Sequence, residues 1–191
     1  MNNNEYQTSL YTPELLAFAQ VGVEFATLME QGQERPIYIE QLLKSLPRLY
    51  SLMLALPSYF YNPEEDYLEE YVSEQSYERV RSRAEEILGA DDLYLTASTS
   101  DIQYSDTPLA IHLSEQLADI YQHVGNLLGI LKERNEIALP SAIGRCRLYW
   151  QEHWGLALLS ALSALHQLYV EQVPQDDIFE QDEYEDNESD F

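Results

Sequence analysis

The stretch from Leu139 to Gln172 constrains this chain more than any other. Ile143, Cys146, Trp150, Trp154, Ala157, Leu158, Ala161, Leu165 and Leu168 recur there at three- and four-residue steps. That spacing lays an apolar stripe along one face of a 3.6-residue helix. Both tryptophans of the protein lie on it, four residues apart. Two such rings bury on the order of 300–500 Å² together. From Leu156 to Leu165 the apolar face widens, because Leu156, Leu158, Leu159, Leu162 and Leu165 cover most of the circumference. A helix wet on one side needs no such girdle, so the spacing predicts the central helix of a bundle.

The remaining apolar runs also carry helical spacing. Thr12 is a good N-cap, and Pro13 suits a first helical position. Leu15, Phe18, Ala19, Gly22, Phe25, Ala26 and Met29 then form a stripe that ends at Gly32. A second pattern runs from Pro36 to Leu56 and is crossed by Pro47, which withdraws a donor from the carbonyl of Leu43. The stripe keeps its phase across the proline, which favours a kink or a very tight break. Ser73 is expected to cap a third helix ending near Gly89, and Ser114 a fourth reaching about Asn135. Arg79, Arg81 and Arg83 form the densest basic cluster, placed to pair with Glu85 and Glu86. The short link before Leu139 and Pro140 makes the fourth and fifth helices antiparallel neighbours. Leu93 to Thr96 has the residues for a short extended piece within an irregular segment at about 90–110.

Charge narrows the functions open to such a bundle. Ten Lys and Arg stand against 34 Asp and Glu, a formal net charge of −24. Phosphate backbones and anionic membranes repel such a surface, so direct nucleic-acid or membrane binding is not expected. A nucleic-acid mimic would itself be acidic. The lone Cys146 permits no disulfide within the chain. Met1 to Ser9 lacks the basic and apolar regions of a signal peptide, and the cytoplasm is the expected location.

Two places hold candidate functional residues. Between Pro57 and Val72, five carboxylates share the stretch with four tyrosines. Tyr59, Tyr61, Glu64, Glu65, Asp66, Tyr67, Glu69 and Glu70 could form a docking surface for a basic partner, or a plain acidic loop with some tyrosines tucked inward. The second place is the polar stripe of the fourth helix, where Asp119 and His123 stand four residues apart and Asn126 follows. Such a pair can share a metal or a proton, and His112 or His166 could join it. The Glu-x-x-His, His-x-x-x-His and His-Glu-x-x-His patterns of helical metal sites are absent. Glycine-rich phosphate loops and nucleophile elbows are absent too. Cys146 lies on the apolar stripe, where a thiol would be inert.

Several motifs, in order, resemble a bacterial family catalogued only as a domain of unknown function. They are Leu46-Pro47-Arg48-Leu49-Tyr50, Ile87-Leu88-Gly89-Ala90-Asp91-Asp92, Tyr104-Ser105-Asp106-Thr107-Pro108, Leu117-Ala118-Asp119-Ile120-Tyr121-Gln122, and Trp154-Gly155 with Ala164-Leu165-His166. The resemblance covers roughly residues 12–168. It implies an all-helical fold and no activity. The family usually has a carboxylate after Asp-Ile-Tyr-Gln, where this chain has His123.

Together these readings predict an all-α bundle of five or six helices with a long central C-terminal helix. A loose N-terminus at 1–11 precedes one helical domain at 12–173. A disordered acidic tail at 174–191 follows, with nine carboxylates and no base. The expected function is that of a non-enzymatic protein-interaction protein, such as an adaptor, inhibitor or immunity-type protein, with a basic partner and no cofactor. The alternatives are a metal-binding or enzymatic bundle using Asp119 and His123, and a nucleic-acid mimic.

Overall fold

A computed structural model describes residues 10–96 and 109–172. The expectations for the first nine residues, for 97–108 and for the acidic tail lie outside the described residues. The chain forms helices α1 (Pro13–Gln31), α2 (Arg35–Ala55) and α3 (Glu74–Leu88), strands β1 (Leu93–Thr96) and β2 (Leu109–His112), and helices α4 (Leu113–Glu133), α5 (Leu139–Tyr149) and α6 (Gly155–Gln172). A single π turn, Trp150–Trp154, joins α5 to α6, so Leu139 to Gln172 is one continuous helical run. The fold is the all-α bundle that the periodicity predicts. None of the described helices is long and apolar enough to cross a membrane.

The caps follow local chemistry at two starts and a distant residue at the third. Thr12 Oγ1 accepts from the Leu15 amide at 3.2 Å, and Ser73 Oγ from the Ser76 amide at 3.2 Å. Ser114 does not cap α4, because the helix begins one residue earlier. Its N-terminus is satisfied by buried Asp92, whose carboxylate accepts from the Ser114 amide at 2.7 Å and the Ser114 hydroxyl at 3.0 Å. His112 Nδ1 donates to the same carboxylate at 2.8 Å, and this bond raises the His112 pKa. The carboxylate beside the first turn also suits the positive end of the helix dipole. The segment at 90–110 is less irregular than expected, because Leu109–His112 pairs antiparallel with Leu93–Thr96.

Helix α4 packs on α1, α3, α5 and α6, and α2 lies on α1 and α6. Cys146 Sγ reaches the His123 carbonyl, and Tyr94 bonds both Gln116 and Ser160, so the run from Leu139 is antiparallel to α4. Pro47 sits exposed within an unbroken α2, and the stripe from Ile39 to Met53 stays on the core. The residues from Leu156 to Leu165 differ from expectation. Leu158, Ala161 and Leu165 are buried, while Leu156 and Leu159 face solvent. Helix α6 therefore buries one face only.

Tyrosine hydroxyls do much of the pairing that scarce bases cannot. Tyr71 donates to Glu133 at 2.6 Å, Tyr77 to Asp119 at 2.8 Å and Tyr121 to Glu30 at 2.7 Å. The bond to Glu133 is the main cause that pushes the Tyr71 phenol up to about 12. Arg35 pairs with Asp91, and Arg81 with both Glu78 and Glu85 at 3.0 Å.

Candidate functional site

The loop at 57–72 is fixed to the body along its length. At its entry, Arg147 Nη1 donates to the carbonyls of Met53 at 3.1 Å and Leu56 at 2.8 Å, which have no helical partner at the end of α2. Farther on, buried Arg145 donates to the carbonyls of Leu68 at 3.4 Å and Glu69 at 3.3 Å. At its exit, Asn126 Oδ1 accepts from the amides of Tyr71 at 2.7 Å and Val72 at 2.9 Å. Leu68 and Val72 are buried beneath it. Close approach needs glycine: a Cβ on Gly129 would lie 2.0 Å from Cγ of Tyr71, and one on Gly144 2.8 Å from the Tyr59 carbonyl. The loop tip closes on itself. The Asn62 amide donates to Asp66 Oδ2 at 2.8 Å, and the Glu64 amide to Asn62 Oδ1 at 3.1 Å. Local side-chain bonds of this kind hold a turn without a strand or helix.

This scaffold sorts the eight candidate residues. Tyr59 and Tyr61 are half-buried against the core, and burial raises the Tyr61 pKa. Asp66 is half-buried and serves the turn. Glu64, Glu65, Tyr67, Glu69 and Glu70 face solvent, Tyr67 at 96% exposure. Phe60, absent from the candidate set, is 84% exposed. Alternation was the signal for it. In extended backbone, neighbours of two inward tyrosines point outward.

An acidic cleft of about 520 Å³ opens beside the loop exit, lined by Glu70, Ser73, Glu74, Tyr77, Glu78, Asp119 and Gln122 among others. Partial loss of water around the Asp119 carboxyl, together with the nearby Glu115 charge, raises its pKa against the lowering effect of the Tyr77 hydrogen bond. His123 is not joined to Asp119. Its ring packs on Tyr149 with centroids 5.0 Å apart, and Tyr149 in turn stacks on exposed His153 at 6.1 Å. His112 bonds Asp92 at the far end of α4, and His166 is exposed on α6. Among the described residues, no three His, Cys, Asp or Glu side chains converge to hold a metal ion. Burial pushes the Cys146 thiol up to about 12.

Burial, with the charges of His153 and Arg145, pushes the His123 imidazole down from 6.5 to about 4. The unfolded chain therefore takes a proton near pH 6.5 that the folded chain refuses until about pH 4. The neutral ring stabilises the fold fully above the unfolded pKa, and that contribution is lost as pH falls toward the folded one. His123→Phe keeps a ring on Tyr149 and should make the urea midpoint fall less between about pH 7 and about pH 5. An equal fall in both proteins would show that His123 is not the group responsible.

Comparison with known proteins agrees with this architecture. The crystal structure of protein BF1032 from Bacteroides fragilis is similar, with a TM-score of 0.71 and 27% identity, covering 83% of this chain and 94% of that one. No curated protein matches the chain. Residues 9–171 match a family model described as a domain of unknown function, DUF5063. The match spans nearly all of the helical bundle, and the chain belongs to the DUF5063 family.

Proposed function

We propose that this chain is a non-enzymatic protein-interaction protein of the cytoplasm, and that the loop at 57–72 receives a basic partner. One observation carries the reading: two aromatic side chains, Phe60 and Tyr67, stand almost wholly in solvent on a loop held rigid from beneath. The bonds from Arg145, Arg147 and Asn126 fix the backbone on either side of them. Aromatic anchors of this kind supply large contact area with little side-chain entropy to lose. Glu64, Glu65, Glu69 and Glu70 surround them, and a carboxylate rim steers a basic surface into encounter. The acidic cleft at Glu70, Glu74 and Asp119 continues the same field toward α4.

The test is capture from native lysate by the full chain, by a Phe60→Ala/Tyr67→Ala variant and by a variant with Glu64, Glu65, Glu69 and Glu70 changed to glutamine. A basic protein retained by the first at low salt, released at high salt and lost by both variants is the expected result. Identical capture by all three would overturn the reading, because the loop would then make no difference to what is bound.

A further inference from the structure

Helix α6 carries a second surface, separate from the loop. From Gly155 to Val170 it has no Asp, Glu, Lys or Arg, in a chain of net charge −24. Its buried residues Leu158, Ala161 and Leu165 define one side. On the opposite side, at 100° per residue, stand Leu156, Leu159, Ser163 and Val170. Leu156 is 68% exposed, Leu159 44% and Val170 55%. An apolar, charge-free stripe is thus open to water on a protein of net charge −24.

We propose that this stripe binds the same stripe of a second copy of the chain, antiparallel, about a two-fold axis passing at Ser163. The residues are arranged symmetrically for it. Leu156 and Val170 lie seven residues to either side of Ser163. In an antiparallel pair, Leu156 therefore meets Val170 of the second copy, and the reverse, as an isologous interface requires. The seven-residue spacing is that of a helix-pairing seam, and the small Ser163 lets the two backbones approach at the crossing. Charge selects the partner and the direction. A basic partner gains nothing from an uncharged stripe, whereas two acidic copies meet here with the least repulsion. The nine carboxylates of 174–191 follow α6 directly. Antiparallel pairing sends the two sets to opposite ends, and parallel pairing would set them side by side.

Sedimentation equilibrium of the full chain at low and high salt tests this. The expected result is a reversible dimer that tightens with salt, because screening removes repulsion between the acidic copies. That response is opposite in sign to the release of a basic partner from the loop. Leu156→Glu with Val170→Glu should weaken the dimer about tenfold or more while helical circular dichroism stays unchanged, since both side chains are exposed in the single chain. Ser163→Cys should give a covalent dimer on mild oxidation, with Cys146 buried and unreactive. Three results would overturn the proposal. They are a monomer at every concentration in both salts, a dimer untouched by the α6 variant, and a dimer lost instead on Leu16→Glu with Val23→Glu in the apolar groove between α1 and α4.

Discussion

Trp154→Ala is expected to destabilise the protein by about 3–5 kcal/mol, the cost typical of removing a large aromatic ring from a closed core. Trp154 is fully buried and heads the large side chains that are. Its indole Nε1 donates to the Cys146 carbonyl at 3.1 Å, across the π turn. Alanine therefore leaves a cavity and removes the carbonyl's second donor, although the Trp150 amide still bonds it. Small domains are stable by only about 5–15 kcal/mol, so the variant should melt early and show a much lower urea midpoint. Trp150 is the internal comparison. It is half-buried and meets Tyr50 edge-on with centroids 5.2 Å apart. Trp150→Ala should cost clearly less. If the two variants lose equal stability, the core is not centred where the buried ring places it.

Asn126→Ala is expected to cost about 2–6 kcal/mol, from two backbone donors left unpaired at about 1–3 kcal/mol each. The amides of Tyr71 and Val72 share its Oδ1, and Val72 is buried. The loss should be local as well as global. Amide exchange of Tyr71 and Val72 should accelerate far more than that of the α1 core. Asn126→Asp keeps the acceptor and should restore slow exchange at those two amides. If exchange is unchanged in the alanine variant, the loop is held by Arg145, Arg147 and the close packing at Gly129 and Gly144 alone. Partner capture should weaken in the same variant, because Phe60 and Tyr67 would no longer stand on a fixed base.

Helices were legible in the sequence where a side chain acts on its own neighbours. The stripes and the caps at Thr12 and Ser73 depend on residues within a turn or two, whereas whether Pro47 bends or breaks α2 stayed open until the structure showed one unbroken helix. Features that depend on distant residues were not. Asp92 reaches Ser114 across the strand pair, so the serine at the start of α4 looks like a cap and is instead capped. β2 is four residues long and needs β1 to exist at all. The α6 girdle reads as fully buried because hydrophobicity reports what a residue prefers and not what covers it. At the site, the acidic tyrosine-rich character of 57–72 was plain. Its rigidity was hidden, because it comes from Arg145 and Arg147, which flank Cys146 far along the chain and give no local sign of their bond partners. Asp119 and His123 show the reverse. Their four-residue spacing is real, but Tyr77 and Tyr149 take one each.

The π turn at Trp150–Trp154 is one residue more than a plain helix would use over the same span, closed by the Gly155 amide on the Trp150 carbonyl. Its surplus residue sets the rotation of everything after it. Gln151, Glu152 and His153 are all exposed, so their identities are nearly free. Their number matters only through the winding it imposes. Deleting one would restore regular winding and leave α6 in its present rotation, with Leu158 and Leu165 still on the core, whereas regular winding with every residue kept would turn α6 by about 100°. Point changes and a one-residue deletion in this stretch should leave stability nearly unchanged, where a further one-residue insertion should be ruinous. The turn acts as slack in the winding, and the rotation of α6, more than the length of chain before it, is what the fold must keep here.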